Sequence, residues 1–247
     1  VSPRVRLDTL VVERDLAETR TRARALILAG QIRVNGEVVA KAGAPTTTNS
    51  IVTLTSPDHP YVGRGGVKLA HALDIFGIDP RKRIALDIGA STGGFTDVLL
   101  QRGAERVVAL DVGHNQLAWK IRQNPQVVVL EGLNARILQA NMLPVDCHQF
   151  DIVTIDVAFI SATLIIDRVP PLLTSGADVV ALIKPQFEAG RNEVGRKGVV
   201  TDPAVHQRVI NKVATAADRI GLKQVGMTRS PITGAEGNHE FFLHLRI

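Results

Sequence analysis

The spacing of apolar positions changes period along the chain. Over residues 6–14 and 19–29 it is helical, and in the second stretch Ala23, Ala25, Leu26, Ile27 and Leu28 supply an apolar face that Gly30 ends. From Ile32 the period becomes that of a strand. Asn35-Gly36, flanked by β-branched residues, predicts a two-residue hairpin turn, and residues 50–54 predict a third strand. Helix, helix, hairpin and strand make a small α+β module. Residues 55–62, Thr-Ser-Pro-Asp-His-Pro-Tyr-Val, then interrupt the pattern with two prolines and read as a linker. Beyond them, five short apolar runs at 84–88, 107–110, 127–130, 152–155 and 179–183 are bounded by turns and read as buried parallel strands. Helical patterns lie between most of them. The clearest later helix covers 203–220, with Asp202 as N-cap, Pro203 at its first position and Gly221 as its stop. Residues 241–245 form a last strand. This alternation predicts a doubly wound α/β domain. The expected division is a module at 1–55, a linker at 56–64 and the α/β domain at 65–247.

Composition narrows the class. A chain of 247 residues accommodates one ordinary domain and a small module. The single cysteine, Cys147, excludes an intramolecular disulfide, and no Cys/His cluster offers a metal site. A reducing, cytoplasmic setting is the expectation. No apolar stretch approaches the length that spans a membrane, so stable membrane insertion is not expected. Charges at Arg4, Arg6, Asp8, Glu13, Arg14 and Asp15 leave no signal-peptide core, and the start at Val1 rather than Met suggests a few missing residues. The net charge is +5, and residues 1–64 hold nine basic and six acidic residues, so the small module carries more than its share. A basic module in front of an α/β domain suits nucleic acid.

Within that module Arg20, Arg22 and Arg24 crowd the start of the second helix. Arg6-Leu7-Asp8, the helix from Arg20 to Arg24, Ala29-Gly30-Gln31-Ile32 and Val34-Asn35-Gly36 together resemble the RNA-binding domain of small-subunit ribosomal protein S-four. The resemblance implies one basic face that holds folded RNA through phosphates and shape. Arg6, Arg20, Arg22, Arg24, Arg33 and Arg64 are its expected contacts.

The first strand of the α/β domain runs into Asp87-Ile88-Gly89-Ala90-Ser91-Thr92-Gly93-Gly94-Phe95, at the carboxyl end where such sheets bind ligands. Ser91 breaks the dinucleotide pattern GxGxxG, which counts against NAD(H), and no lysine completes a P-loop. The arrangement resembles the first motif of S-adenosyl-L-methionine methyltransferases, which implies a cofactor loop of Asp87, Gly89, Ala90, Ser91, Gly93, Gly94 and Phe95. Asp111 ends the second strand, 22 residues beyond Gly89, where an acid accepts ribose hydroxyls. Asn134, just past the third strand, is placed to meet the adenine.

Asp156 follows the fourth strand, Lys184 the fifth, Lys68 lies at the start of the helix before the first, and Glu240 opens the last. A lysine at the end of an apolar strand is costly unless paired or used. In order along the chain, residues 61–69, 87–95, 156–161, 184–188 and 237–240 are similar to the TlyA family, named both as hemolysins and as ribosomal RNA 2′-O-methyltransferases. Gly63 and Ala158 stand where serine is common. The resemblance implies a Rossmann-like methyltransferase domain of the FtsJ type and a Lys-Asp-Lys-Glu tetrad of Lys68, Asp156, Lys184 and Glu240. It also implies S-adenosyl-L-methionine as cofactor, and ribosomal RNA or a ribosomal subunit as partner, with a cytidine as target and no obligate protein partner. Lys184 is then the expected base or activating donor, oriented by Asp156, with Lys68 steering the 2′-oxygen and Glu240 holding a lysine. The alternatives are a non-catalytic ribosome-assembly factor and a membrane-active hemolysin.

Overall fold

In the computed structural model, which describes residues 3–17, 19–55 and 59–247, the Asn35-Gly36 hairpin forms as its residues dictate. Both residues are left-handed, with φ of 51° and 88°, as a turn between tightly twisted strands requires. The N-terminal module runs β1 (Arg4–Arg6), α1 (Leu7–Glu13), α2 (Arg20–Leu28), β2 (Ile32–Val34), β3 (Glu37–Val38), β4 (Pro45–Thr47) and β5 (Val52–Leu54). β2 lies between β3 and β5, and β1 pairs with β4 in a second ribbon. That ribbon was not expected, because its three-residue strands carry arginine, proline and threonine in place of an apolar alternation. Thr19 caps α2 by accepting the Arg22 N–H, and Leu7, Leu10, Val11, Leu26, Ile27, Ile32 and Val52 form the module's own core.

Ser56, Pro57 and Asp58 of the expected linker lie outside the described residues. The helix α3 (Arg64–Phe76) begins inside the stretch expected to be linker, and Lys68 sits in its second turn. There follow β6 (Ile84–Ile88), α4 (Gly94–Gln101), β7 (Arg106–Asp111), α5 (Trp119–Arg122), β8 (Val127–Glu131), β9 (Phe150–Ile155), α6 (Thr163–Ile166), β10 (Leu173–Ile183), α7 (Pro185–Glu188), α8 (Pro203–Asp218), β11 (Lys223–Arg229) and β12 (Phe241–Arg246). The seven strands order as β11-β12-β10-β9-β6-β7-β8. From β6 the chain winds outward through β7 and β8, then returns to place β9 on the other side of β6. The crevice above β6 and β9 is therefore the switch point where α/β sheets bind ligands. β12 runs antiparallel between β10 and β11.

The five expected parallel strands are all present. β10 starts six residues early, across a Ser-Gly stretch that reads as a turn, with a register shift between Leu173 and Asp178. β11 was missed. Its sequence, Lys-Gln-Val-Gly-Met-Thr-Arg, is that of a solvent-facing edge strand, with no buried face to impose alternation. Between β8 and β9 the connection is two 3₁₀ turns in place of a helix. Both sheet faces are covered. Leu69 and Leu73 of α3 and Val98 and Leu99 of α4 pack on one, beside Phe242. Val205, Val209 and Val213 of α8 pack on the other.

Opposite the crevice, Asp178 locks the mixed half of the sheet. Its buried carboxylate accepts from His244 Nε2 and Arg246 Nε on β12 and from Arg83 Nη1 ahead of β6, each at 2.7 Å. Burial alone would raise its pKa, but these donors outweigh it and hold the carboxyl well below the usual carboxylate range. A depressed carboxyl pKa contributes stability above about pH 4 that is lost as pH falls further. Asp178→Ala is expected to lower the unfolding free energy in urea by on the order of 3 kcal/mol, since Arg83 and Arg246 keep partial access to water. A loss below about 1 kcal/mol, the range of an exposed pair, would contradict the lock.

Candidate active site

The end of β6 presses against the end of β9. Asp156 N–H donates to Ile88 O at 2.9 Å. Gly89 has φ of 89°, and a Cβ there would lie 2.2 Å from the Asp156 carbonyl oxygen, so backbone meets backbone and only glycine fits. Gly89 and Ala90 both donate to Leu110 O, at 2.8 and 3.0 Å. Ser91 takes a left-handed conformation and donates its N–H to Asp111 Oδ2 at 2.7 Å. Asp111 Oδ1 accepts from Gly113 N at 2.7 Å. The acid expected to face a ribose thus also ties the glycine loop to the end of β7, and each oxygen retains a second lone pair for a ligand hydroxyl. Gly93, also left-handed, leads into α4, and a Cβ on Gly94 would strike the Gly66 backbone of α3. Asn134 lies exposed beyond β8, with Oδ1 accepting from Arg136 N at 3.0 Å to cap a 3₁₀ turn.

Two residues of the expected cofactor loop lie deeper than their neighbours. Asp87 has no exposed surface, and its oxygens accept from Thr96 Oγ1 of α4 at 2.7 Å and Thr154 Oγ1 of β9 at 2.9 Å. It braces the loop from behind. Phe95 is buried against Phe242, with ring centroids 6.1 Å apart, and belongs to the core. Asp87 is buried because β6 is a central strand, and Phe95 because it lies on the face of α4 that packs on the sheet beside Phe242.

The four expected catalytic residues come together as two ion pairs. Lys184 pairs with Asp156 through Nζ and Oδ1, because β10 and β9 are parallel neighbours and each residue directly follows the end of its strand. Lys68 Nζ donates to Glu240 Oε2 at 2.6 Å. Glu240 precedes Phe241, which pairs with Ile183, so Glu240 reaches the field of Lys184 as well. Burial pushes the Lys184 pKa down, but Asp156 and Glu240 together outweigh it and raise it above its ordinary value. Lys184 is therefore an ammonium at neutral pH. Of the two expected roles, base or activating donor, the two carboxylates facing one lysine favour the donor.

Phe159 was missed. It follows Asp156 by three residues, has φ of 68°, is 87% exposed, and packs on Phe187 at 5.3 Å between centroids. An aromatic residue in the turn after a strand-end acid was the available signal. Glu188, buried at the end of α7, was also missed.

The expected basic face is differentiated. Arg6 and Arg20 both reach Asp8, at 2.8 and 3.3 Å. Hydrogen bonding from Arg6, opposed by burial and helped by Arg20, brings the Asp8 pKa down to about 2. Arg22 and Arg24 are exposed, and Arg33 Nη1 donates to Gly36 O at 3.0 Å. Arg64 stands at the junction of the two parts. Its stem lies against Gly30, and Nη2 donates to Thr233 O at 3.2 Å.

Asp87 offers a clean test of the brace. Burial first, and then the charge of Asp156, push its pKa up to about 6 despite the threonine hydroxyls. A raised pKa means that its contribution is fully present below about pH 4 and is lost as pH rises through about 6. The stability of the wild type relative to Asp87→Asn is therefore expected to fall between pH 4 and 7, by up to about 3 kcal/mol, in paired urea titrations. A difference that stays constant with pH would show that Asp87 ionises as freely in the fold as outside it.

The FtsJ-like methyltransferase family matches residues 61–247, and the S4 domain matches residues 5–52. The chain is 44% identical to the 16S/23S rRNA (cytidine-2′-O)-methyltransferase TlyA of Mycobacterium tuberculosis, over 98% of this chain and 90% of that protein. It is 41% identical to Hemolysin A of Brachyspira hyodysenteriae, over 98% of this chain and 100% of that protein. A solved Streptococcus thermophilus protein that carries the hemolysin name superposes with a TM-score of 0.76 at 41% identity, covering 99% of this chain and 89% of that one. With the glycine loop and the two ion pairs on one sheet edge behind an S4 domain, the chain belongs to the FtsJ-like methyltransferase family.

Proposed function

We propose that the protein transfers a methyl group from S-adenosyl-L-methionine to a ribose 2′-hydroxyl of ribosomal RNA, at a cytidine, and that it works in the cytoplasm where that RNA is assembled. The observation that carries this reading is the convergence of Lys68–Glu240 and Lys184–Asp156 beside the glycine loop. The loop fits such a cofactor: its left-handed backbone opens at the switch point, and Asp111 offers lone pairs at the end of the next strand. Gly89, Ala90, Ser91, Gly93 and Gly94 would cradle the methionine end, Asp111 the ribose and Asn134 the adenine. Bound there, the sulfonium supplies an electrophilic methyl carbon.

The protein's part is to hold the 2′-oxygen in line and accommodate its charge. Lys184, kept protonated by Asp156, points an ammonium at the 2′-oxygen, and as the oxygen–methyl bond forms and the carbon–sulfur bond breaks the hydroxyl proton passes to solvent water. Lys68, fixed by Glu240, supplies a second cation that steers the same oxygen. Both lysines are largely buried, which strengthens their fields. Phe159 presents an aromatic face on which an unstacked base can lie. Arg6, Arg20, Arg22, Arg24, Arg33 and Arg64 hold the RNA by its phosphates, with Arg6 and Arg20 pre-oriented by Asp8. Among the described residues no helix is long and apolar enough to cross a membrane.

Single-turnover transfer tests the role of Lys184. Lys184→Ala is expected to slow transfer by about 10²–10³-fold or more with cofactor affinity retained, and the wild-type rate is expected to be flat between about pH 7 and 9. A rate that rises through that range, with the rise absent in Lys184→Arg, would restore the neutral base. Near-normal transfer by Lys184→Ala would overturn the catalytic assignment. Separately, Asp111→Ala is expected to weaken S-adenosyl-L-methionine binding by about 1–3 kcal/mol in calorimetry, and unchanged affinity would remove Asp111 from the site.

A further inference from the structure

We infer that Glu188 is a positioning residue, a latch that fixes the loop carrying Asp156 and Phe159 against the segment carrying Lys184. The inference rests on the methyl-transfer reading above and concerns the same site. Residues 156–162 leave β9 and turn back into α6. The first of them is held by Lys184 and the middle by Phe187 under Phe159. The last two are held by Glu188, whose Oε2 accepts from Ser161 Oγ at 2.6 Å and whose Oε1 accepts from Ala162 N at 2.6 Å. Three of the five residues from Lys184 to Glu188 therefore grip the loop at its start, centre and end. Residues 157–160 make no cross-strand pairs; Val157 and Ile160 pack against the core, and the short turn adds the polar and aromatic anchors at the two ends and the centre of the loop.

The latch is built at some cost. The Glu188 side chain is 2% exposed, and a carboxylate so buried is unfavourable unless fully paired. Lys212 of α8 supplies the counter-charge at 3.1 Å and also donates to Glu188 O at 3.1 Å. Ser161 is in turn fixed by Thr163, with their hydroxyls 2.7 Å apart. Both carboxylate oxygens are thus aimed at the loop, and Oε2 also at its anchor on α8. Phe159 is a non-glycine residue held at positive φ, a conformation that persists where its surroundings impose it. Release of Ser161 and Ala162 removes that imposition and lets Asp156 and Phe159 shift relative to Lys184.

The test uses the full-length protein with Glu188→Ala, Glu188→Gln and Ser161→Ala. Glutamine can keep both loop bonds, its amide oxygen accepting from Ala162 N and its amide nitrogen donating to Ser161 Oγ. Single-turnover transfer is expected to fall by about 10²-fold in Glu188→Ala, the cost of misplacement by about 1 Å, with S-adenosyl-L-methionine and RNA affinities unchanged. Glu188→Gln is expected to recover most of that rate, and Ser161→Ala to lose a smaller part of it. Hydrogen exchange at the amides of residues 157–163 is expected to speed up in Glu188→Ala and Ser161→Ala but not in Glu188→Gln, with β9 unaffected. Where Glu188→Ala does not fold, the other two variants decide: unchanged exchange and rate in Ser161→Ala overturn the latch. A Glu188→Gln protein as slow as the alanine variant, or a loss shared equally by cofactor affinity, also overturns it. If the wild type transfers no methyl group, the reaction proposed above fails, while the exchange measurement still decides on the latch.

Discussion

The carbonyl oxygen of Asp156 occupies the space in which a side chain on residue 89 would begin. This contact makes the glycine loop and the strand-end acid one rigid unit, because the first turn after β6 and the first turn after β9 share a backbone surface. The Asp156 N–H bond to Ile88 O reinforces it, and the Asp87–Thr154 bond repeats it one residue back. The proposed cofactor loop and the proposed catalytic carboxylate are then set by the same parallel pair of strands. Their relative placement does not rely on loop folding alone.

Buried charge serves two different ends in this molecule. At the base of the sheet, Asp178 gathers three donors and joins β10, β12 and the approach to β6. At the crevice, Lys184 and Lys68 are each met by a carboxylate but keep some access to solvent, as a site that must receive a substrate requires. The first arrangement surrounds a carboxylate with hydrogen-bond donors. The second gives Lys184 the field of two carboxylates, and this imbalance makes it a better hydrogen-bond donor than base.

Much of this was legible in the sequence because local chemistry and long-range packing agreed. The Asn35-Gly36 turn, the Asp202-Pro203 helix start and the five apolar strands each follow from residues that satisfy both. The edge strand Lys223–Arg229 was not legible, since its pairing comes from β12 and its own pattern is polar. The burial of Asp87 and Phe95 was not legible because motif spacing gives position along the loop but not depth in the sheet. The protonation of Lys184 depends on distances to Asp156 and Glu240, which come from residues 28 and 56 positions away and exist only in the fold. The Glu188 contacts were invisible for the same reason.

The central claim is that this crevice methylates ribose oxygen and leaves the base unmodified. The direct measurement incubates the protein with ribosomal subunits and S-adenosyl-L-methionine labelled in the methyl group, digests the RNA to nucleosides and identifies the labelled product by mass spectrometry. The account predicts label in 2′-O-methylcytidine, lost on digestion of RNA treated with Lys184→Ala. Label on a base carbon or nitrogen, or RNA that stays unlabelled while the cofactor binds, would contradict it.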